Sequence, residues 1–241
     1  MLSISIVVDN VAKKSMLKST WGFSTFIEHD NLRGFFDVGP SISILEKNAN
    51  LLNIDLSSPI DFVFISHMHG DHVGALLDFV KKYKPKSLYL PDDVSEKALR
   101  KYSSLVDYVR VVQEPTQLTS SLFSTGTLRY SVPEESLLIK EGHVTLMIVG
   151  CSHPKVERIV SFARGTFGTT IDLVIGGFHI SGFENGVRTG RALKELSVEY
   201  AIPCHCTGTQ AKEGLYTVYR KRIICGVGLT LRVLNNRIKV E

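Results

Sequence analysis

The segment that most restricts this chain is His67-Met68-His69-Gly70-Asp71-His72, which follows directly on the apolar run Asp61-Phe62-Val63-Phe64-Ile65-Ser66. Three imidazoles and a carboxylate within six residues are costly to bury unless they satisfy one another or a cation. Neutral imidazole and carboxylate suit zinc, iron or manganese, and a catalytic site needs such groups to converge with a coordination position left open. Apolar residues recur at helical spacing from Val73 to Tyr83, so the cluster is expected in the turn between a strand end and a helix start. Strand-to-helix turns are where α/β folds place their sites.

The rest of the chain predicts the same alternation. Strands are expected at Leu2 to Val8 and in a hairpin of Gly22 to Glu28 with Leu32 to Phe36. A helix capped by Ser41 is expected from there to Leu52, then strands at Ser87 to Leu90 and Asp107 to Val112 around a helix from Ser95 to Tyr102. Gln113 to Pro133 has a weak pattern and reads as loops and short strands. A hairpin of Ser136 to Lys140 with Val144 to Val149 comes next, then a helix started by Pro154 and running to about Arg164. Ile171 to Ile175 and Ala201 to Pro203 read as strands, Val187 to Tyr200 and Thr209 to Tyr219 as helices, and Leu229 to Leu234 with Arg237 to Val240 as a closing hairpin on Asn235-Asn236.

Three more histidines stand after predicted strands: His153, His179 and His205. The small residues of Gly150-Cys151-Ser152-His153 and Cys204-His205-Cys206-Thr207-Gly208 fit sharp turns with close backbone approach, as does Gly176-Gly177 before His179. His179 is either a ligand or a general acid poised near neutral pH. Asp37 in Phe36-Asp37-Val38-Gly39 either fixes a ligand imidazole or caps the next helix. Cys204 and Cys206 flank His205 at strand spacing, so they are expected to face away from it as small buried residues. His29 and His143 are expected on surface turns.

Apolar residues make up 44% of the 241 and are evenly spread, which gives a single domain over residues 1–241. The formal charge of +4 is not gathered into blocks, so nucleic acid is not signalled. Mild basicity suits an anionic small molecule. No apolar run is long enough for a membrane span and no secretory signal is evident, so the protein is expected in the cytoplasm with its four cysteines as reduced thiols. Homo-oligomerisation is left open.

A strand ending in His-x-His-x-Asp-His after a Phe-Asp-x-Gly turn resembles the metallo-β-lactamase superfamily, which implies α/β architecture, a four-layer αβ/βα sandwich of two mixed β-sheets. The motifs Val8-Asp9-Asn10, Gly150-Cys151-Ser152-His153, Gly176-Gly177-Phe178-His179 and His205-Cys206-Thr207-Gly208 look like the group of 7,8-dihydropterin-6-yl-methyl-4-(β-D-ribofuranosyl)aminobenzene 5'-phosphate synthases. The resemblance implies two divalent metal ions, zinc first, with manganese, iron or magnesium as alternatives. His67, His69 and His153 would hold one and Asp71, His72 and His205 the other. Asp37 would orient ligands, and Asp71 and His179 would serve catalysis.

Two positions depart from the pattern: Cys151 stands where most members carry a bridging aspartate, so it either supports the ligands or is one itself, and Trp21 stands where the subgroup commonly has histidine. The implied activity is a pterin-biosynthesis transferase, joining a dihydropterin-methyl diphosphate to the aryl amine of a ribofuranosylaminobenzene phosphate. The alternative is binuclear hydrolysis of a phosphodiester, lactone or thioester by metal-bound hydroxide. Trp21, Phe23, Phe178 and Phe183 are candidates to line an aromatic slot, and Arg188, Arg191 and Lys194 could reach the phosphate of the substrate.

Overall fold

A computed structural model describes residues 1–241. The chain runs β1 (Leu2–Val8), β2 (Ser24–His29), β3 (Leu32–Phe36), α1 (Ile42–Leu51), β4 (Phe62–Phe64), α2 (Gly70–Val73), α3 (Leu76–Tyr83), β5 (Ser87–Leu90), α4 (Glu96–Ser103) and β6 (Tyr108–Val111). It continues through β7 (Thr116–Gln117), β8 (Leu122–Ser124), β9 (Leu137–Glu141), β10 (Val144–Val149), α5 (Val156–Phe167), β11 (Leu173–Gly177), α6 (Phe183–Glu195), β12 (Tyr200–Cys204) and α7 (Thr209–Tyr219), and closes with β13 (Thr230–Leu234) and β14 (Arg237–Val240). These elements form two compact units, Met1–Gln113 with Gly226–Glu241, and Glu114–Cys225. Each unit carries one mixed β-sheet, so the architecture is the expected α/β class with two mixed sheets.

The first unit holds an eight-stranded sheet in the order β14-β13-β1-β2-β3-β4-β5-β6. β3 to β6 run parallel, so the chain leaves β3, β4 and β5 at the same edge. Leu45 and Ala49 of α1, and Leu76, Phe79 and Val80 of α3, pack with Val7, Val8, Phe26, Phe35, Val63 and Ile65 into one apolar cluster. At about 25 cal/mol per Å² of apolar surface, that burial is the main force fixing the strand ends. The closing hairpin turns on Asn235 and Asn236, whose φ values of 51° and 58° are those of a two-residue turn matched to strand twist.

The second unit holds a six-stranded sheet in the order β12-β11-β10-β9-β8-β7, with β10, β11 and β12 parallel. All six residues of β10 are buried, as a strand apolar on both faces should be. Val156, Ile159, Val160 and Ala163 of α5, Leu193 of α6 and Leu215 of α7 form the helical side of its core.

Several boundaries differ from expectation for identifiable reasons. The single helix expected from Val73 is two, α2 and α3, because the Ala75 amide donates to the Gly39 carbonyl oxygen at 3.0 Å while the Asp71 carbonyl oxygen accepts from Phe23, which interrupts the helical ladder. Ser41 stands at the N-cap of α1, but its hydroxyl hydrogen-bonds Ser43 Oγ at 2.9 Å and leaves the helix end uncapped by its side chain. Pro154 precedes α5 instead of opening it, and Lys155 is the N-cap. The segment Ser181 to Gly186, expected as a loop, contains the start of α6 at Phe183. Glycines permit this against propensity: a Cβ on Gly186 would lie 1.9 Å from the Ala211 carbonyl oxygen, and one on Gly214 would lie 2.1 Å from that of Phe183. The two helices thus approach backbone to backbone. A Gly186→Ala change is expected to destabilise the fold by about 1–3 kcal/mol through overpacking, read as a lower urea midpoint with unchanged slope.

His29 is a further correction. It ends β2 at 3% exposure, buried beside the register partners Leu2 and Leu32, because the β2–β3 turn begins one residue later at Asp30. His143 is exposed as expected.

Candidate metal centre

In the first unit the functional side chains leave the carboxyl ends of β3 and β4. Phe64 O accepts the amide of Asp37 at 2.8 Å and Tyr89 O that of Ile65 at 3.0 Å, which extends the strand pairing into the turn. Asp37 has a φ of 53°, a left-handed backbone that costs free energy and tends to mark functional turns. Its carboxylate is completely buried. Oδ1 accepts the Ser66 amide at 2.7 Å, and Oδ2 accepts the Ser66 hydroxyl at 2.7 Å and His72 Nδ1–H at 2.6 Å.

That geometry fixes two tautomers. Because the single hydroxyl proton of Ser66 goes to Asp37, Ser66 Oγ can only accept from His67 Nδ1 at 2.9 Å. Both His67 and His72 therefore carry their proton on Nδ1, leaving Nε2 as the Lewis-basic nitrogen. The rings of His67 and His72 lie 4.2 Å apart and those of His67 and His69 4.7 Å apart. Asp71 Oδ2 is 4.0 Å from His72 Nε2. The Asp71 carbonyl oxygen is held by the Phe23 amide at 3.2 Å, and a Cβ on Gly22 would lie 2.6 Å from it. The cluster is thus an imidazole and carboxylate set oriented by a buried carboxylate, and its donors fit a borderline divalent cation. Of the two readings open for Asp37, orienting an imidazole is the one observed.

In the second unit, β10, β11 and β12 end side by side, with Val149 opposite Gly176 and Gly177 opposite Cys204. The residues after them are the expected ones: Cys151 and His153, His179, and His205 with Cys206. The rings of His153 and His179 lie 4.7 Å apart. Ser152, His179 and His205 have φ values of 58°, 47° and 38°. His205 is buried, His153 half-buried and His179 exposed.

The residue that shapes this edge carries no sequence signal. Glu134, only 1% exposed, accepts the amides of Gly150, Cys151 and Ser152 on Oε1 at 3.1, 2.9 and 2.8 Å, and that of His153 on Oε2 at 2.8 Å. Four consecutive N–H groups converge on one carboxylate, an anion-binding nest that locks the turn bearing Cys151 and His153. Nothing in the spacing of Pro133-Glu134-Glu135 marks this, since the pairing of Leu128 with Glu134 that delivers it is a tertiary feature.

The cysteines also differ from expectation. Cys204 and Cys225 form a disulfide with Cα atoms 5.3 Å apart, whereas Cys151 and Cys206 are thiols. A cytoplasmic setting predicts four reduced thiols, but the fold brings the end of β12 and the segment before β13 to bonding distance. Cys206 does not follow strand alternation, because the turn begins at His205. Its thiol is drawn down to about 5, first by a hydrogen bond with Cys151 and then by His179, against burial that pushes it up.

Of the proposed substrate residues, Phe23 and Phe178 are buried, Phe178 as part of the second unit's core, so they pack instead of lining a slot. Trp21 and Phe183 are exposed at 62% and 44%, and Arg188, Arg191 and Lys194 are exposed on α6. No helix is long and apolar enough to cross a membrane.

Residues 54–160 match the model of the metallo-β-lactamase superfamily. The chain is 26% identical over 259 residues to the 7,8-dihydropterin-6-methyl-4-(β-D-ribofuranosyl)-aminobenzene-5'-phosphate synthase of Methanocaldococcus jannaschii, with 86% of this chain and 88% of the relative covered. Its structure matches that of Tm1679, described as a metal-dependent hydrolase of the β-lactamase superfamily, at a TM-score of 0.77 and 25% identity over 97% and 99% of the two chains. The human short-form tRNase Z shares the fold at a TM-score of 0.65 and 13% identity over 96% and 99%. The chain has the metallo-β-lactamase fold, and residues 54–160 carry its likeness to that superfamily.

Proposed function

We propose that this protein is a metal-dependent transferase that joins a dihydropterin-methyl diphosphate to the aryl amine of a ribofuranosylaminobenzene phosphate and releases pyrophosphate. The observation that carries the metal dependence is the buried Asp37 carboxylate holding His72 directly and His67 through Ser66 in the tautomer that ligates through Nε2. The likeness to the named synthase over 86% of the chain supports the substrate class. His67, His69, Asp71 and His72 in the first unit and His153 and His205 in the second are the ligands we assign, for two divalent cations, zinc first. Bound there, the cations would supply positive charge to a diphosphate leaving group, or acidify a water in a hydrolytic relative.

The chain's own residues would do the rest. The aryl amine nitrogen forms a bond to the pterin methylene carbon as the carbon–oxygen bond to diphosphate breaks, and the amine loses a proton. His179, which is exposed, would take that proton as the imidazole base. Arg188 and Arg191, charged and exposed on α6, would attract the phosphates. The second reading, hydrolysis of a phosphate ester or related bond, is favoured by the likeness to Tm1679.

The test incubates metal-loaded protein with both pterin diphosphate and the aryl amine, and follows pyrophosphate and the coupled product. Coupled product that disappears on chelation and returns with zinc or manganese is the expected result. Pyrophosphate without coupling, or turnover of a phosphodiester alone, would replace the transferase reading with the hydrolase. Metal content unchanged in His67→Ala and His72→Ala would remove the ligand assignment.

A further inference from the structure

We propose that Cys151, His179 and Cys206 hold one soft divalent cation, with two thiolate sulfurs and one imidazole nitrogen as its ligands. Their donor atoms all lie within 4.8 Å of one another. In a tetrahedral zinc site with Zn–S near 2.3 Å and Zn–N near 2.0–2.1 Å, donors stand roughly 3.5–3.8 Å apart, so closure needs shifts of about 1 Å. All three groups come from the ends of adjacent parallel strands in one unit, which sets their spacing before any cation arrives.

The glycine pair of the Gly176-Gly177 turn gains a reason here. A Cβ on Gly177 would fall 2.5 Å from Cys206 Sγ and 2.7 Å from the Gly150 carbonyl oxygen, so any side chain at 177 would expel the thiol from its place beside Cys151. Cys206 Sγ also lies 3.7 Å from the Cys151 carbonyl oxygen. Cys151 is 3% exposed while His179 is open to solvent, which gives a cation a route in and leaves a fourth position for water. Two sulfurs and one nitrogen select softer cations than the imidazole and carboxylate cluster of the first unit does. On binding, each thiol releases its proton to solvent and no electrons move. Occupancy would withdraw the His179 imidazole from proton transfer, but the site does not rest on the transferase reading.

The full chain, reduced and kept free of oxygen, is titrated with cobalt(II), and the near-ultraviolet thiolate-to-cobalt charge-transfer band is followed. The expected result is a band in the wild type that is lost in Cys206→Ser and in Cys151→Ser, weakened at least about tenfold in cobalt affinity by His179→Gln, and kept in His69→Ala. His179 and His69 are both exposed, so these two variants test the idea even if a cysteine variant fails to fold. A wild type without the band overturns the proposal. So does a band that survives Cys206→Ser, or one that vanishes in His69→Ala, because Cys151 would then belong to the histidine cluster instead.

Discussion

Asp37→Asn is expected to weaken divalent-metal binding by about 10- to 100-fold, the usual cost of losing a group that orients ligand histidines. The carboxylate accepts three hydrogen bonds, two from Ser66 and one from His72. An amide offers only one oxygen. If the oxygen keeps Ser66 N–H, the NH2 group faces His72 Nδ1 and forces that ring to carry its proton on Nε2, where it cannot ligate. If it turns round, the oxygen still serves the Ser66 hydroxyl and His72, but the Ser66 amide meets an NH2 group, donor against donor. Competition against a chromogenic chelator reads the affinity, with circular dichroism to confirm the fold. Affinity equal to the wild type would refute the relay.

Glu134→Ala is expected to cost about 3–5 kcal/mol of stability, since it leaves four buried or half-buried N–H groups of the 150–153 turn without their charged acceptor. For a chain of this size that corresponds to a fall in melting temperature of roughly 6–20 °C. The loss should also reach the site, because the turn carries Cys151 and His153. Thermal unfolding measures the first effect and metal content per chain the second. Glu134→Gln retains an acceptor oxygen but no charge, and should fall between wild type and alanine. A melting temperature within experimental error of wild type for the alanine variant would show that water replaces the carboxylate without penalty.

Local chemistry made much of this legible in the sequence. Strand β4 and the turn from His67 to His72 are readable because three imidazoles and a carboxylate directly after an apolar strand are costly to bury without a cation between them. The hairpin of β9 and β10 and helix α7 stand where periodicity and turn residues put them. Boundaries shift where another part of the chain decides them. α6 can begin at Phe183 because Gly186 lets it lie against Ala211, and the helix from Val73 is interrupted where the Ala75 amide donates to Gly39. The position of Cys206 has the same origin, since strand alternation stops one residue before it, at a His205 with φ of 38°.

The amino-acid sequence alone determined the ligand-type residues, the α/β class and the likeness to the superfamily, because each is written in residue type and spacing along a few consecutive positions. Tertiary structure decided which nitrogen of His67 and His72 carries the proton, that Glu134 holds the 150–153 turn, and that Cys204 pairs with Cys225 while Cys206 lies beside Cys151 and His179. Hydrogen-bond direction and sulfur pairing depend on distances between residues far apart in the chain, and such distances are set by how strands stack into a sheet.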